Sequence, residues 1–268
     1  MASRLISAAV AIVVLLVVVL SGSMTALTVA VLICSLLGMY ELFQAFGFLK
    51  RPLLVVGGLI ITFSLVLQAY IPLKFILAAV FVYLLLLAIQ LLAAHKEFKF
   101  SQMATAAFCA LYVPLSMMTI IKIREEEYGF WLLWITLGGA WITDSFAYFS
   151  GRLFGKHKLC PLISPKKTIE GSIGGSVFTV IAAIVYGIIL QRFNQVPVNF
   201  AALAVVSLIC AAVSQIGDLT ASVIKREHGI KDFGKIMPGH GGFMDRFDST
   251  LFVAPAVYIF NMIFTIFG

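Results

Sequence analysis

The chain has 268 residues, of which 62% are hydrophobic and only 12% are charged, and its mean hydropathy is +1.07. This apolar share is far above that of soluble domains, and the long charge-free runs exclude a β-barrel, whose strands alternate apolar and polar residues. The formal net charge of +7 is typical of basic cytoplasmic loops in a membrane protein, so we expect the lipid bilayer as a partner and no nucleic acid.

Charges and Pro/Gly clusters divide the chain into apolar segments close to the roughly 20 residues that a helix needs to cross a bilayer. The predicted spans are Leu5–Leu20, Met24–Gln44, Leu53–Tyr70, Phe75–Ala94, Met103–Ile121, Phe130–Ser150, Ile173–Gln191, Phe200–Val223 and Thr250–Phe267. We therefore expect an all-α, polytopic integral membrane protein with about nine transmembrane helices. Neither a repeat nor a low-complexity linker divides the sequence, so residues 1–268 are predicted to form one domain.

The first two spans are separated only by Ser21, Gly22 and Ser23. This break predicts a hairpin, because one continuous helix would be about 50 Å long, which is too long for a single crossing. Arg4 followed by an apolar run also resembles a signal peptide, so cleavage near Ser23 stays open.

Lysines and arginines are distributed unequally between the two sets of loops. With the N-terminus inside, 15 of the 19 lie on the side of the N-terminus and 4 on the other. Because basic residues concentrate in cytoplasmic loops, we expect the N-terminus and the long polar loops 151–172 and 225–248 to face the cytoplasm. The predicted location is the inner (plasma) membrane.

Polar residues of interest begin near the cytoplasmic end of the sixth span. Asp144 lies there, and the sequence leaves open whether it is a metal ligand or a hydrogen-bonded packing residue. The following loop combines Lys166 and Lys167 with Thr168 and glycines at a helix start, an arrangement that suits an anion. Paired lysines in such a loop are, however, most often determinants of topology alone.

Asp218 lies near the cytoplasmic end of the eighth span. Helical spacing places it on one stripe with Ser222, Lys225 and Arg226. A carboxylate at that depth is unfavourable unless it has a partner. We favour metal ligation, and the alternative is an internal ion pair with Lys225 or Arg226.

Asp245 and Asp248 precede the last span and are three residues apart. A helix beginning just before them would place both carboxylates on one face, where they would suit magnesium. Helix capping by Asp248 or Ser249 is the alternative, but it would leave Asp245 unexplained. The glycine-rich turn 238–242, which contains His240, has a backbone suited to approach a phosphate.

The segment from Ser222 to Asp248 resembles the signature of the phosphatidate cytidylyltransferase (CDP-diacylglycerol synthase) family. The matching residues are Ser222, Lys225, Arg226, Lys231, Asp232, His240, Gly241, Gly242, Asp245, Arg246 and Asp248. The segment from Ser164 to Gly171 is similar to the same family. A pattern with this many positions is far more specific than a lone glycine-rich loop.

The resemblance implies an enzyme that uses magnesium to transfer the cytidylyl group of CTP to phosphatidic acid, giving CDP-diacylglycerol and pyrophosphate. It implies a catalytic set in which Asp218, Asp245 and Asp248 hold the metal while Lys225 and Arg226 contact phosphate groups. The further substrate contacts that it implies are Ser164, Lys166, Lys167, Thr168, Ser222, His240 and Arg246. A homodimer stays open.

Two other functions are compatible with the same residues. A CTP-dependent lipid kinase would use the same metal and basic loops but transfer the terminal phosphoryl group. An ion-coupled transporter would use Asp144 and Asp218 inside the membrane. Transporters usually carry their polar residues near the bilayer midplane, whereas these cluster at one face, so we favour the enzyme.

Overall fold

A computed structural model of the chain describes residues 2–236, 239 and 241–268, with side chains from residue 9 onward. Within these residues the regular secondary structure is helical apart from one short hairpin and an isolated bridge between Val198 and Phe267. The elements are α1 (Ala2–Leu20), α2 (Met24–Ala45), a 3-10 turn (Phe48–Lys50), α3 (Pro52–Val66), α4 (Leu73–Ala93), α5 (Phe100–Glu125), α6 (Gly129–Phe154), β1 (Lys158–Cys160), β2 (Ser164–Thr168), α7 (Ile169–Phe193), α8 (Phe200–Glu227), α9 (Met244–Phe247) and α10 (Thr250–Ile263).

Each predicted apolar segment contains an α-helix, so the all-α membrane fold predicted from the sequence is confirmed. In the described part of the chain, five helices are long and apolar enough to cross a membrane, namely α2, α4, α5, α7 and α8. Shorter apolar helices lie at Ala9–Leu20, Pro52–Val66 and Thr250–Ile263. The count of nine spans stays a prediction.

The outer faces of α4 and α7 match a hydrocarbon environment. Only 22% of the most apolar stretch of each helix is buried in the protein. Large apolar side chains such as Phe81, Leu84, Ile181 and Ile188 are more than half exposed. Apolar surface on this scale is unstable in water. The chain is therefore a multi-pass membrane protein.

The break between the first two helices is confirmed. α1 ends at Leu20, and the Ser23 hydroxyl accepts a hydrogen bond from the Ala26 N–H at 3.3 Å at the start of α2. Such a side-chain acceptor satisfies one of the backbone donors that every helix start leaves unpaired.

The chain divides into two compact units. The first unit comprises Met1–Ile121 and His228–Arg246, and the second comprises Lys122–Glu227 and Phe247–Gly268. In the first unit α2 packs on α3 and α3 on α4, while in the second α6, α7, α8 and α10 pack on one another. The prediction of a single domain stays a prediction.

Glycine allows α6 and α7 to approach closely in the second unit. A Cβ atom on Gly175 would lie 2.8 Å from the Thr143 carbonyl oxygen, which is closer than Cβ contacts occur. At this crossing the buried hydroxyls of Thr143 and Thr179 are hydrogen-bonded at 2.8 Å. The close crossing places Asp144, the next residue on α6, beside the N-terminal part of α7.

The loop between α6 and α7 is a β-hairpin. β1 and β2 are antiparallel, with Lys158 opposite Thr168 and Cys160 opposite Ser164. Lys166 and Lys167 therefore lie on a strand that leads directly into α7. The sequence analysis did not predict this hairpin, because Ser164–Thr168 is short, polar and interrupted by a proline.

The region before the last helix corrects one prediction. α9 ends at Phe247, the chain turns through Asp248 and Ser249, and α10 begins at Thr250. The last helix therefore does not start before Asp245, and the condition under which Asp245 and Asp248 would share one helix face is not met. A local bond from the Ser249 N–H to Asp248 Oδ1, at 2.8 Å, competes here with regular helical hydrogen bonding.

Candidate functional site

Three carboxylates from separate elements meet in the second unit. Asp144 comes from α6, Asp218 from α8 and Asp248 from the turn before α10. Asp144 Oδ1 accepts a hydrogen bond from the Ser214 hydroxyl at 3.4 Å, and Oδ2 accepts one from the Ser249 hydroxyl at 3.0 Å. Since Ser214 lies one turn before Asp218 and Ser249 follows Asp248, these bonds tie the three elements together. We call Asp144, Asp218 and Asp248 the carboxylate cluster.

A glycine brings α8 against the turn that carries Asp248. A Cβ atom on Gly217 would lie 2.6 Å from the Asp248 carbonyl oxygen and 3.1 Å from the Ser249 Cα. Any larger residue would push these segments apart. Asp218, the next residue on α8, is therefore held close to Asp248.

Lys167 on β2 forms an ion pair with Asp218. The two side chains are 24% and 29% exposed, so the pair is partly shielded from water. The sequence suggested Lys225 or Arg226 as the ion-pair partner of Asp218, whereas in the structure the partner is Lys167 of the hairpin. Arg226 reaches the hairpin as well, since its Nε donates to the Ile163 carbonyl at 3.5 Å.

Burial and charged neighbours of both signs act on the carboxylate cluster. Burial, and then the neighbouring Asp218 carboxylate, raises the pKa of Asp248 to about 7, although Lys225 acts in the opposite direction. Lys167 and Lys225 are thus cations that act on the cluster, and Lys167 is already paired with Asp218.

The donor chemistry of the cluster fits a hard divalent cation such as magnesium, because carboxylates and the Ser214 and Ser249 hydroxyls supply only oxygen. Among the residues that the structure describes, no group of three or more His, Cys, Asp and Glu side chains is arranged to hold a metal ion.

A cavity of about 300 Å³ opens beside the cluster. Its lining includes Asp144 and Asp218 together with Arg152, Lys166 and Lys167. The volume is at the lower end of the range for small-molecule sites. A cavity with both carboxylates and cations suits a polyphosphate.

Two further hairpin contacts fix the start of α7. The Thr168 hydroxyl accepts a hydrogen bond from the Gly171 N–H at 3.1 Å, so it caps the helix. The Glu170 carboxylate accepts a bond from the His157 backbone N–H at 3.2 Å and lies 2.6 Å from the His157 ring nitrogen Nδ1. These contacts anchor the strand that carries Lys167.

The first unit contains a separate pair of carboxylates, Glu41 and Asp245, with different partners. Asp245 Oδ2 accepts hydrogen bonds from the backbone N–H groups of Phe233, at 2.8 Å, and Gly242, at 3.0 Å. Glu41 on α2 accepts bonds from the N–H groups of Phe243 and Met244. The sequence analysis missed Glu41, although a lone charge inside an apolar span is itself a signal of a special role.

The other predicted substrate contacts are spread over several elements. Ser164 and Lys166 lie on β2, Ser222 and Lys225 near the end of α8, and Arg246 on α9 in the first unit. His240 lies outside the described residues. The roles predicted for these side chains stay predictions.

Comparison with known proteins gives a consistent result. The sequence profile of the cytidylyltransferase family matches residues 2–264. A protein named phosphatidate cytidylyltransferase from Bacillus subtilis (strain 168) is 39% identical over 188 residues, which cover 70% of this chain and 68% of that protein. Proteins of the same name from Staphylococcus epidermidis (strain ATCC 12228 / FDA PCI 1200) and Staphylococcus haemolyticus (strain JCSC1435) are 42% and 43% identical over 157 residues.

The staphylococcal matches cover 58% of this chain and 58% of each relative. The chain thus spans less than two thirds of those two proteins and slightly more than two thirds of the Bacillus subtilis protein. The family profile, in contrast, extends over almost the whole chain. This chain is therefore a nucleotidyltransferase of the cytidylyltransferase family.

Proposed function

We propose that this chain transfers the cytidylyl group of CTP to phosphatidic acid and releases CDP-diacylglycerol and pyrophosphate. The relatives named above are phosphatidate cytidylyltransferases, and a multi-pass membrane protein has direct access to a lipid substrate. The observation that carries the proposal is the carboxylate cluster with Lys167 beside a cavity lined by cations.

The chemistry needs little proton transfer from the protein. A phosphate oxygen of phosphatidic acid forms a bond to the α-phosphorus of CTP, and the bond from that phosphorus to the oxygen bridging to the β-phosphate breaks. Pyrophosphate leaves with the electron pair. Because the second pKa of a phosphate monoester is about 6, the attacking oxygen is already largely anionic at neutral pH.

The protein must bring two anions together and stabilise charge as pyrophosphate leaves. We assign this role to Lys167, Lys225 and Arg226. Supporting contacts to phosphate or lipid headgroup are proposed for Ser164, Lys166, Thr168, Ser222, His240 and Arg246. Apolar grooves between helices would admit the acyl chains while the headgroup stays at the interface.

Magnesium would be held by Asp218 and Asp248, and the ligand role that the sequence predicted for Asp245 stays a prediction. When bound, the ion would neutralise charge on the α-phosphate and on the leaving pyrophosphate. The Ser214 and Ser249 hydroxyls hold Asp144 in place next to these ligands. Asp144 is thus a second acidic group at the cavity.

Labelled CTP tests the proposed reaction. The full chain, purified in detergent, is incubated with phosphatidic acid, magnesium and CTP that carries label either in the cytosine base or in the γ-phosphate. Cytidylyl transfer places the base label in the lipid and the γ label in pyrophosphate. A γ label in the lipid would instead identify a CTP-dependent lipid kinase and overturn the proposal.

We also propose that the site faces the cytoplasm from the inner membrane. Leu162 at the hairpin tip is 96% exposed, and Asn194 lies in the loop between α7 and α8 that is predicted to face the other side. In a Cys160→Ser background, a cysteine replacing Leu162 should react with an impermeant maleimide only after the cells are permeabilised. A cysteine replacing Asn194 should react in intact cells, and the opposite pattern would contradict this orientation.

A further inference from the structure

Glu41 is a buried acidic residue that the proposed reaction does not use. It is the only charged residue of α2, and its side chain is 0% exposed. Burial of a carboxylate among apolar residues is strongly unfavourable unless its oxygens are hydrogen-bonded. Its partners should therefore indicate its role.

Both carboxylate oxygens of Glu41 accept hydrogen bonds from consecutive backbone amides. Oε1 accepts from the Phe243 N–H at 2.9 Å, and Oε2 accepts from the Met244 N–H at 2.8 Å. Phe243 and Met244 are themselves 2% and 1% exposed. Hydrogen bonds to an ionised acceptor are about twice as strong as neutral ones, and here they fix the backbone directly before Asp245.

The loop fits tightly around this carboxylate. A Cβ atom on either Gly234 or Gly242 would clash with the Glu41 carboxylate. One turn earlier on α2, a Cβ atom on Gly38 would lie 3.2 Å from the Phe243 ring. α2 therefore presents a small residue to the Phe243 side chain and an acceptor to its backbone.

Asp245 fixes the same loop from within. Its Oδ2 atom accepts from the Phe233 and Gly242 N–H groups, so Glu41 and Asp245 together hold residue 233 and residues 242–244. Lys231 precedes residue 233, and Lys235 lies between residue 233 and residues 242–244. Both lysines line a cavity of about 740 Å³ together with Glu41. Two cations on an anchored loop suit the phosphates of a nucleotide.

We propose that Glu41 is a positioning residue that holds the signature loop, which in the described chain comprises residues 231–236 and 241–246, in the conformation that binds the CTP phosphates. A carboxylate is needed because it has only acceptors, whereas a glutamine amide would point an N–H donor at one of the two backbone donors. Without this anchor the loop must be ordered when CTP binds, and that ordering weakens binding. The identity of the ligand rests on the proposed function.

The test uses Glu41→Gln with Glu97→Gln as the matched control, since Glu97 lies in the same unit and is exposed. Amide hydrogen exchange in residues 241–246 should be about tenfold faster or more in Glu41→Gln, as expected when a hydrogen bond to a charged acceptor is lost. The KM for CTP should rise by about the same factor, while kcat at saturating CTP changes less. Glu97→Gln should behave as the wild type in both measurements.

Gly234→Ala disturbs the contact between the loop and the Glu41 carboxylate without changing Glu41. The test therefore does not depend on whether Glu41→Gln folds. It should accelerate exchange in the same segment, and the double variant should show less than the sum of the two effects. Unchanged exchange in both variants would overturn the proposal. A lower kcat at unchanged KM for CTP would also overturn the proposal. That pattern indicates a partly unfolded population, which reduces the amount of active enzyme but not its affinity for CTP.

The exchange measurement also separates this proposal from the proposed function. If the wild type makes no CDP-diacylglycerol, the proposed function fails, but exchange in residues 241–246 still decides whether Glu41 anchors the loop. If the wild type is active and exchange is unaffected in Glu41→Gln and Gly234→Ala, only the positioning role fails.

Discussion

The buried carboxylates of the two units are used in different ways. Glu41 and Asp245 in the first unit accept hydrogen bonds from four backbone N–H groups. Asp144 in the second unit accepts bonds from hydroxyl side chains, and Asp218 faces the cation of Lys167. A carboxylate bound to backbone amides fixes the path of the chain. A carboxylate facing a lysine and hydroxyls can exchange those partners for a ligand.

The comparison gives Asp245 a different role from the one that the family resemblance implies. The family resemblance implies a metal ligand at this position, and the structure gives its Oδ2 atom two backbone donors. The comparison predicts that the cluster residues respond to the substrate and metal, while Glu41 and Asp245 control the order of the loop.

Removal of divalent cations should have the largest effect. EDTA should lower turnover by roughly 10³-fold or more, because the proposed metal supplies several kcal/mol of charge stabilisation in the transition state. Added magnesium should restore the rate. Amide exchange at residue 233 and residues 242–244 should change little, since the Glu41 and Asp245 carboxylates hold these backbone N–H groups. Full activity in EDTA would remove the metal from the mechanism.

Lys167→Gln should have the next largest effect. Loss of this cation should lower kcat/KM for CTP by about 10- to 100-fold through lost phosphate stabilisation. Lys158→Gln, an exposed change on β1, is the control and should be close to wild type. Because the Lys167–Asp218 pair is about a quarter exposed, a double-mutant cycle should give a coupling in stability below about 1 kcal/mol. A larger coupling with little loss of activity would make the ion pair structural.

Asp245→Asn and Asp248→Asn compare the two regions directly. Asp245→Asn should accelerate amide exchange at Phe233 and Gly242 by about tenfold, because a charged acceptor becomes a neutral one. Asp248→Asn should lower turnover without that change. Both changes should be read out in detergent by exchange with mass spectrometry and by steady-state rates. Identical exchange in the two variants would contradict the distinction between the regions.

Thr168→Ala should have the smallest effect. Loss of the cap to the Gly171 N–H should destabilise the protein by about 1 kcal/mol, the usual result for a lost N-cap. Thermal unfolding in detergent measures this change, and Thr168→Ser should restore it. A loss of CTP affinity beyond tenfold at unchanged stability would show that the phosphate contact proposed for Thr168 outweighs its capping role.

Composition and charge patterning predicted the helical segments because a membrane span must be long, apolar and internally hydrogen-bonded. The same logic pointed to Asp218 as an acidic residue at a helix end. The role of Lys167 as its ion-pair partner could not be predicted, because it depends on a hairpin whose strands are too short and polar to have a pattern.

Asp144 and Glu41 show why the remaining details need coordinates. The sequence left two roles open for Asp144, and only the position of Ser214 and Ser249 shows which side chains it contacts. Glu41 was missed because its partners are backbone N–H groups about two hundred residues away, and every residue except proline has such a group.

The most direct test of the account is turnover by Asp218→Asn, measured as transfer of base-labelled CTP to phosphatidic acid. Glu127→Gln, an exposed change in the same unit, is the control. We expect Asp218→Asn to lose about 10²- to 10³-fold in kcat while it unfolds at the same temperature as the control. A rate for Asp218→Asn equal to that of Glu127→Gln would contradict the assignment of the carboxylate cluster as the reaction site.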